Sequence, residues 1–256
     1  MAKLGKWIAG GLGWALGGPI GGLLGFTLGS MFDNASSDVM PWDDNQPTQK
    51  RYSTQRERQQ HTNPGDFEVS LLILSAAVMK ADGKVMRSEL DYVREFLSRQ
   101  FGKQKVNDQL KLLKGFLDQK IDLGPICGQI RSFMDHSSRL QLMHYLFGIA
   151  EADNDMSTSE LKMLSGIAGA LGISHKDFAS IRAMFIPQTD SSVYKILEIT
   201  EKATNDEVKK AYRRMAVKYH PDKVSHLGPE HQNAAKEKFQ SVSKAYESIK
   251  KQRGMK

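Results

Sequence analysis

The chain has 256 residues, 40% hydrophobic and 25% charged, ordinary for a folded protein of one large domain or two modest ones. Its single cysteine, Cys127, excludes a disulfide framework and any cysteine-rich zinc site. Of the 36 Lys/Arg and 29 Asp/Glu, residues 192–256 hold 15 and 8, which leaves 21 of each sign elsewhere, so the whole net charge of +7 sits in the last quarter and calls for an acidic partner: nucleic acid, anionic lipid or an acidic protein face.

Residues 1–32 read as a membrane anchor. From Trp7 to Phe32 there is no charged side chain, and a helix of that length would reach about 39 Å against a hydrocarbon core of about 30 Å. Gly13, Gly17, Gly21, Gly25 and Gly29 recur at every fourth position and lay a groove along one face. In lipid such a groove lets two backbones approach, which predicts a homodimer through the glycine-rich helix. Gly17-Gly18-Pro19 could instead break the helix into a re-entrant or surface-lying hairpin.

Residues 33–65 carry Pro41, Pro47 and Pro64 among many polar residues and no apolar periodicity, the pattern of a linker. Between 66 and 187 apolar residues return at helical spacing, as in Leu90, Val93, Phe96 and Leu97. About seven helices are expected, with breaks near 82–87, 102–107, 120–125, 135–137, 152–158 and 172–174, and no strand. The fold class is all-α.

This region repeats itself: the twelve residues from Met79 to Leu90 align without gaps on Ala150 to Leu161. Asp82 and Glu89 in the first copy match Asp153 and Glu160 in the second. These four carboxylates could together hold a divalent cation. The turn preference of Asp before Gly83 and the capping box from Ser157 to Glu160 account for them without a metal, and the structural reading is favoured. The arrangement resembles the tellurite-resistance TerB-like helical fold over roughly 66–186, whose repeated halves carry such acidic positions.

Residues 192–256 form a separate module. A short helix spans Val193 to Ile199, and Thr204 caps a longer one with Asp206 and Glu207 in its first turn. Val208, Ala211, Met215 and Tyr219 make an apolar stripe along it, and Lys209, Lys210, Arg213, Arg214 and Lys218 fill much of the remaining face. Pro221 ends the helix. Phe239, Val242, Tyr246 and Ile249 form a second stripe beyond the loop. Two antiparallel helices with matched stripes make a hairpin with His220-Pro221-Asp222 at its tip.

The motifs Val193-Tyr-Lys-Ile-Leu-Glu-Ile, Glu207-Val-Lys-Lys-Ala-Tyr-Arg-Arg-Met-Ala, Tyr219-His-Pro-Asp-Lys and Phe239-Gln-Ser-Val-Ser-Lys-Ala-Tyr-Glu resemble a J domain of the DnaJ type. With its N-terminal anchor and TerB-like middle, the whole chain is similar to the membrane-anchored DnaJ-like co-chaperones. The resemblance implies docking on a DnaK-type chaperone and stimulation of that partner's ATP hydrolysis, with no cofactor and no enzymatic activity of the chain's own. It implies that His220, Pro221 and Asp222 are the stimulating motif, and that Lys209, Arg213 and Arg214, with Tyr212 and Lys218, dock the partner. The Gly/Phe-rich region and zinc domain of full DnaJ are missing, which puts independent client binding in doubt.

Two other readings stay open. The basic helix could bind nucleic acid, though its face carries few base-edge or stacking side chains apart from Tyr212, and no nucleic-acid partner is expected. The chain could also be an oligomeric membrane scaffold with a silent J domain. Charge counting places Lys3 and Lys6 in the cytoplasm. The chaperone's need for ATP argues instead for an inner-membrane, single-pass protein with both folded domains facing the cytoplasm.

Overall fold

The computed structural model describes residues 5–34, 64–185 and 190–255, so the expected linker lies almost wholly outside the described residues. Two compact units divide at His61 and Thr62. Among the described residues there is no strand.

In the first unit, α1 (Gly5–Asn34) is not one straight helix. It folds back at Gly18, whose φ of 63° and ψ of −154° suit only glycine, with Pro19 opening the second limb. The limbs, each about 20–24 Å long, pack on their glycines. A methyl group on Gly13 would lie 2.1 Å from the Gly21 carbonyl oxygen, and one on Gly25 the same distance from that of Ala9. The segment is thus a bent pair of limbs, where a straight helix is the first expectation and a break at Gly17-Gly18-Pro19 the alternative. Among the described residues no helix is long and apolar enough to cross a membrane. The glycine groove at Gly13, Gly21 and Gly25 is filled within the chain, because a break at Gly18 lets the face meet itself.

The second unit begins with seven helices: α2 (Pro64–Met79), α3 (Arg87–Phe101), α4 (Lys103–Leu117), α5 (Leu123–Phe133), α6 (His136–Ala150), α7 (Thr158–Ala170) and α8 (His175–Phe185). α2 and α6 are the central pair, with Leu71 to Leu74 and Leu140 to Met143 almost wholly buried. Tyr92 of α3 packs so closely on α6 that a methyl group on Gly148 would meet its hydroxyl at 2.0 Å.

Two bonds in each copy of the sequence repeat match their counterparts in the other. Lys84 N–H donates to Asp82 at 2.9 Å and Asp155 N–H to Asp153 at 3.0 Å. Met86 N–H donates to Glu89 and Ser157 N–H to Glu160, each at 2.7 Å. The equivalent turn residues Gly83 and Asn154 both adopt positive φ, 83° and 63°. Asn is the non-glycine residue that tolerates this region most readily.

The chain then forms α9 (Asp190–Ile196), α10 (Asn205–Lys218), a 3-10 segment (Pro221–Leu227) and α11 (Pro229–Gln252). The predicted stripe of α10 is buried at Val208, Ala211, Met215 and Tyr219. That of α11 is shifted: Ala235, Lys238, Val242, Ala245 and Ile249 are buried, while Phe239 and Tyr246 are half-buried at its flank. The hairpin does not stand apart, since α11 and the 3-10 segment pack on α3 and α6.

Candidate functional site

The tip of the α10–α11 hairpin is built by its own sequence. Tyr219 ends α10, and His220, in extended conformation at φ −63° and ψ 130°, caps the 3-10 segment with its ring nitrogen. That nitrogen, Nδ1, accepts from the Asp222 N–H at 3.3 Å. Pro221 occupies the first helical position, where its missing N–H costs nothing. Val224 and Leu227 anchor the segment in the core, so the tripeptide is fixed from both sides.

The chemistry of the tip faces outward. The Asp222 carboxylate is 88% exposed and the His220 side chain 49%. His220 is steadied by the ring of Phe239, edge-on with centroids 6.4 Å apart. The sequence pattern assigns Phe239 to the apolar stripe alone, and only the hairpin's register brings it under the imidazole. Outward carboxylate, braced imidazole and rigid turn suit recognition by another macromolecule. The Asp222 carboxylate also lies 3.5 Å from His220 Nδ1, so the imidazole and the carboxylate form one local pair at the tip.

The structure sorts the five docking candidates. Arg213 is exposed and Lys209 half-buried on the outer face of α10. Tyr212 stacks on Tyr246 of α11, centroids 4.4 Å apart and rings 18° from parallel, which gives it a packing role inside the hairpin. Arg214 donates to the Leu197 carbonyl at 3.2 Å and lies 3.8 Å from the Glu198 carboxylate. Lys218 is clasped by Glu198 and by Asp177 of α8. Glu198 adopts a positive φ of 58°, an unfavourable conformation that its bonds to the two cations help to hold.

The four candidate metal carboxylates occupy the facing turns of the repeat. Burial, Glu160, Asp82 and Asp153 push the Glu89 carboxyl up to about 7 against the opposing Met86 N–H bond. Each of the four accepts a backbone N–H within its own turn. Among the described residues no group of three or more His, Cys, Asp or Glu is arranged to hold a metal ion.

Comparison with known proteins follows the same three-part order. Residues 1–47 match the family described as the co-chaperone DjlA transmembrane domain, 68–183 tellurite resistance protein TerB, and 192–254 the DnaJ domain. The chain is 30% identical to co-chaperone protein DjlA of Vibrio vulnificus (strain CMCP6), over 74% of this chain and 71% of that one. It is 27% identical to that of Photobacterium profundum, over 98% and 99%, and 28% identical to that of Escherichia coli (strain K12), over 94% of each. No solved structure matches.

Proposed function

The chain belongs to the DjlA co-chaperone family, a membrane-anchored DnaJ-like co-chaperone, and on that footing we propose that it stimulates ATP hydrolysis by a DnaK-type chaperone through His220, Pro221 and Asp222. The observation that carries this reading is the tip itself: an 88% exposed carboxylate beside a braced imidazole on a proline-set turn. Asp222 accepts a charge-assisted bond from a cationic side chain of the chaperone. The rigid turn means little conformational entropy is lost when it does.

The outer face of α10 steers the encounter. Lys210, Arg213 and Arg214 are exposed, and their attraction to an acidic surface is long-ranged at low salt and screened beyond about 10 Å at 0.1 M. Lys209 and Lys218 belong to the same face, and Tyr212 contributes by keeping α10 on α11. ATP is cytoplasmic, so the TerB-like and J domains face the cytoplasm. Self-association through the glycine-rich segment is the remaining partner expectation.

The test is the single-turnover ATPase rate of a DnaK-type chaperone with the detergent-solubilised full chain added, wild type beside His220→Gln. Stimulation by the wild type that the substitution removes is the expected result. No stimulation by the wild type, where a control J protein works, refutes the reading.

A further inference from the structure

The J-domain hairpin is fastened to the TerB-like helices along one continuous polar seam. Gln100 of α3 donates to the Leu227 carbonyl, and Gln141 of α6 donates to the His231 carbonyl at 2.9 Å. His226 lies 3.6 Å from the Asp135 carboxylate and 3.3 Å from the Ser138 hydroxyl. At the end of α10, Lys218 meets Asp177, which is only 4% exposed. The seam therefore runs along the end of α10 and the 3-10 segment, the part of the hairpin that carries the tripeptide.

Asp177 is the telling member. Its second oxygen accepts from Ser174 at 2.6 Å, and that oxygen lies 3.8 Å from His136, whose pKa is lowered by burial and which is therefore neutral at pH 7. Lys218 is the cation that balances this carboxylate. Pulling Lys218 away leaves a buried charge without its partner, and breaking such a pair is far costlier than losing an exposed one. We propose that the TerB-like domain restrains its own J domain, with Asp177 occupying Lys218 as an internal stand-in for the acidic face of the chaperone. This rests on the chaperone-docking reading. Lys210, Arg213, Arg214, His220 and Asp222 remain exposed and give the chaperone its first contact, while full engagement of the α10 end requires Lys218 to change partners.

The experiment compares the detergent-solubilised full chain with Asp177→Asn, which keeps an oxygen for Ser174, and with Gln100→Ala, which loosens the seam far from α8. Two quantities are read at low salt and subsaturating chain: chaperone ATPase stimulation, and amide hydrogen exchange over residues 218–228. The restraint predicts faster exchange in both variants and stimulation raised about 3- to 10-fold, abolished again by His220→Gln in the same background. Faster exchange with stimulation at or below the wild-type level overturns it. Unchanged exchange in both variants overturns it too, because Asp177 is then no latch. Silence of wild type and variants alike, with exchange accelerated, refutes the chaperone reading and the restraint with it.

Discussion

Lys238, on the inner face of α11, donates from Nζ to the Gln141 side-chain oxygen at 2.5 Å and to the Leu140 carbonyl at 3.3 Å, with only 1% of the residue exposed. Two carbonyl oxygens and the ring of Tyr219, its centroid 5.7 Å away, surround the amine. Burial lowers the Lys238 pKa well below its ordinary value, and the same ammonium would oppose protonation of buried His231 and of half-buried His144 nearby.

The sign of the pH effect follows. The unfolded chain binds a proton at Lys238 up to about pH 10.5 and the folded chain releases it earlier, so stability rises with pH between the lowered folded-state value and about 10.5. Lys238→Met removes this slope and fills the site with an apolar chain of similar length. It should raise stability at pH 7 by about 1–3 kcal/mol, the Gln141 oxygen losing one donor. Thermal unfolding of wild type and variant at pH 7 and pH 9 checks this; a variant less stable at pH 7 would show that the amine is needed there.

A second pH effect comes from the facing acidic turns. Glu89 has its carboxyl raised to about 7, so folding favours its protonated form and stability contributed below pH 4.5 is lost as pH rises through 7. Glu89→Gln keeps an oxygen for the Met86 N–H and removes the titration. The variant should match the wild type near pH 4.5 and exceed it by about 1–3 kcal/mol at pH 8. A calcium- or magnesium-dependent rise in the wild-type melting temperature, absent from the variant, would instead make these carboxylates a cation site.

Local chemistry was legible in the sequence, and long-range placement was not. Asp82, Glu89, Asp153 and Glu160 announced their turns because each bonds a backbone N–H within three residues. His220-Pro221-Asp222 was legible for the same reason, since proline and the cap fix the turn locally. Lys238 lies between Glu237 and Phe239 in a helix rich in lysine, and nothing nearby in sequence marks it as buried; its acceptors are 97 and 98 residues away. The pairing of Lys218 with Asp177 is hidden likewise, because it depends on how two modules pack.

Tyr212 separates docking from packing. Its stack on Tyr246 predicts that Tyr212→Ala destabilises the hairpin by about 1–2 kcal/mol while Tyr212→Phe is nearly neutral in both stability and chaperone stimulation. Stimulation lost in the stable Phe variant would assign the hydroxyl to the chaperone contact.

The glycine-rich segment yields a test that distinguishes its two arrangements. A Cβ on Gly10 would lie 3.3 Å from that of Phe26 on the opposite limb, close to the separation a disulfide spans. Cys127 will not compete, because burial pushes its thiol up to about 11 and the thiolate is the reactive species. Under mild oxidation in membranes, Gly10→Cys with Phe26→Cys should therefore close within one chain, read as a monomer on a non-reducing gel with the linked peptide found by mass spectrometry. Adding Gly18→Ala, which puts a side chain where φ is 63°, should suppress that product. Covalent dimers in place of monomers would mean that the same glycine face meets its copy in a second chain, the straight-helix arrangement, since a face that accepts a limb of its own chain at Gly13 and Gly21 has the shape to accept another's.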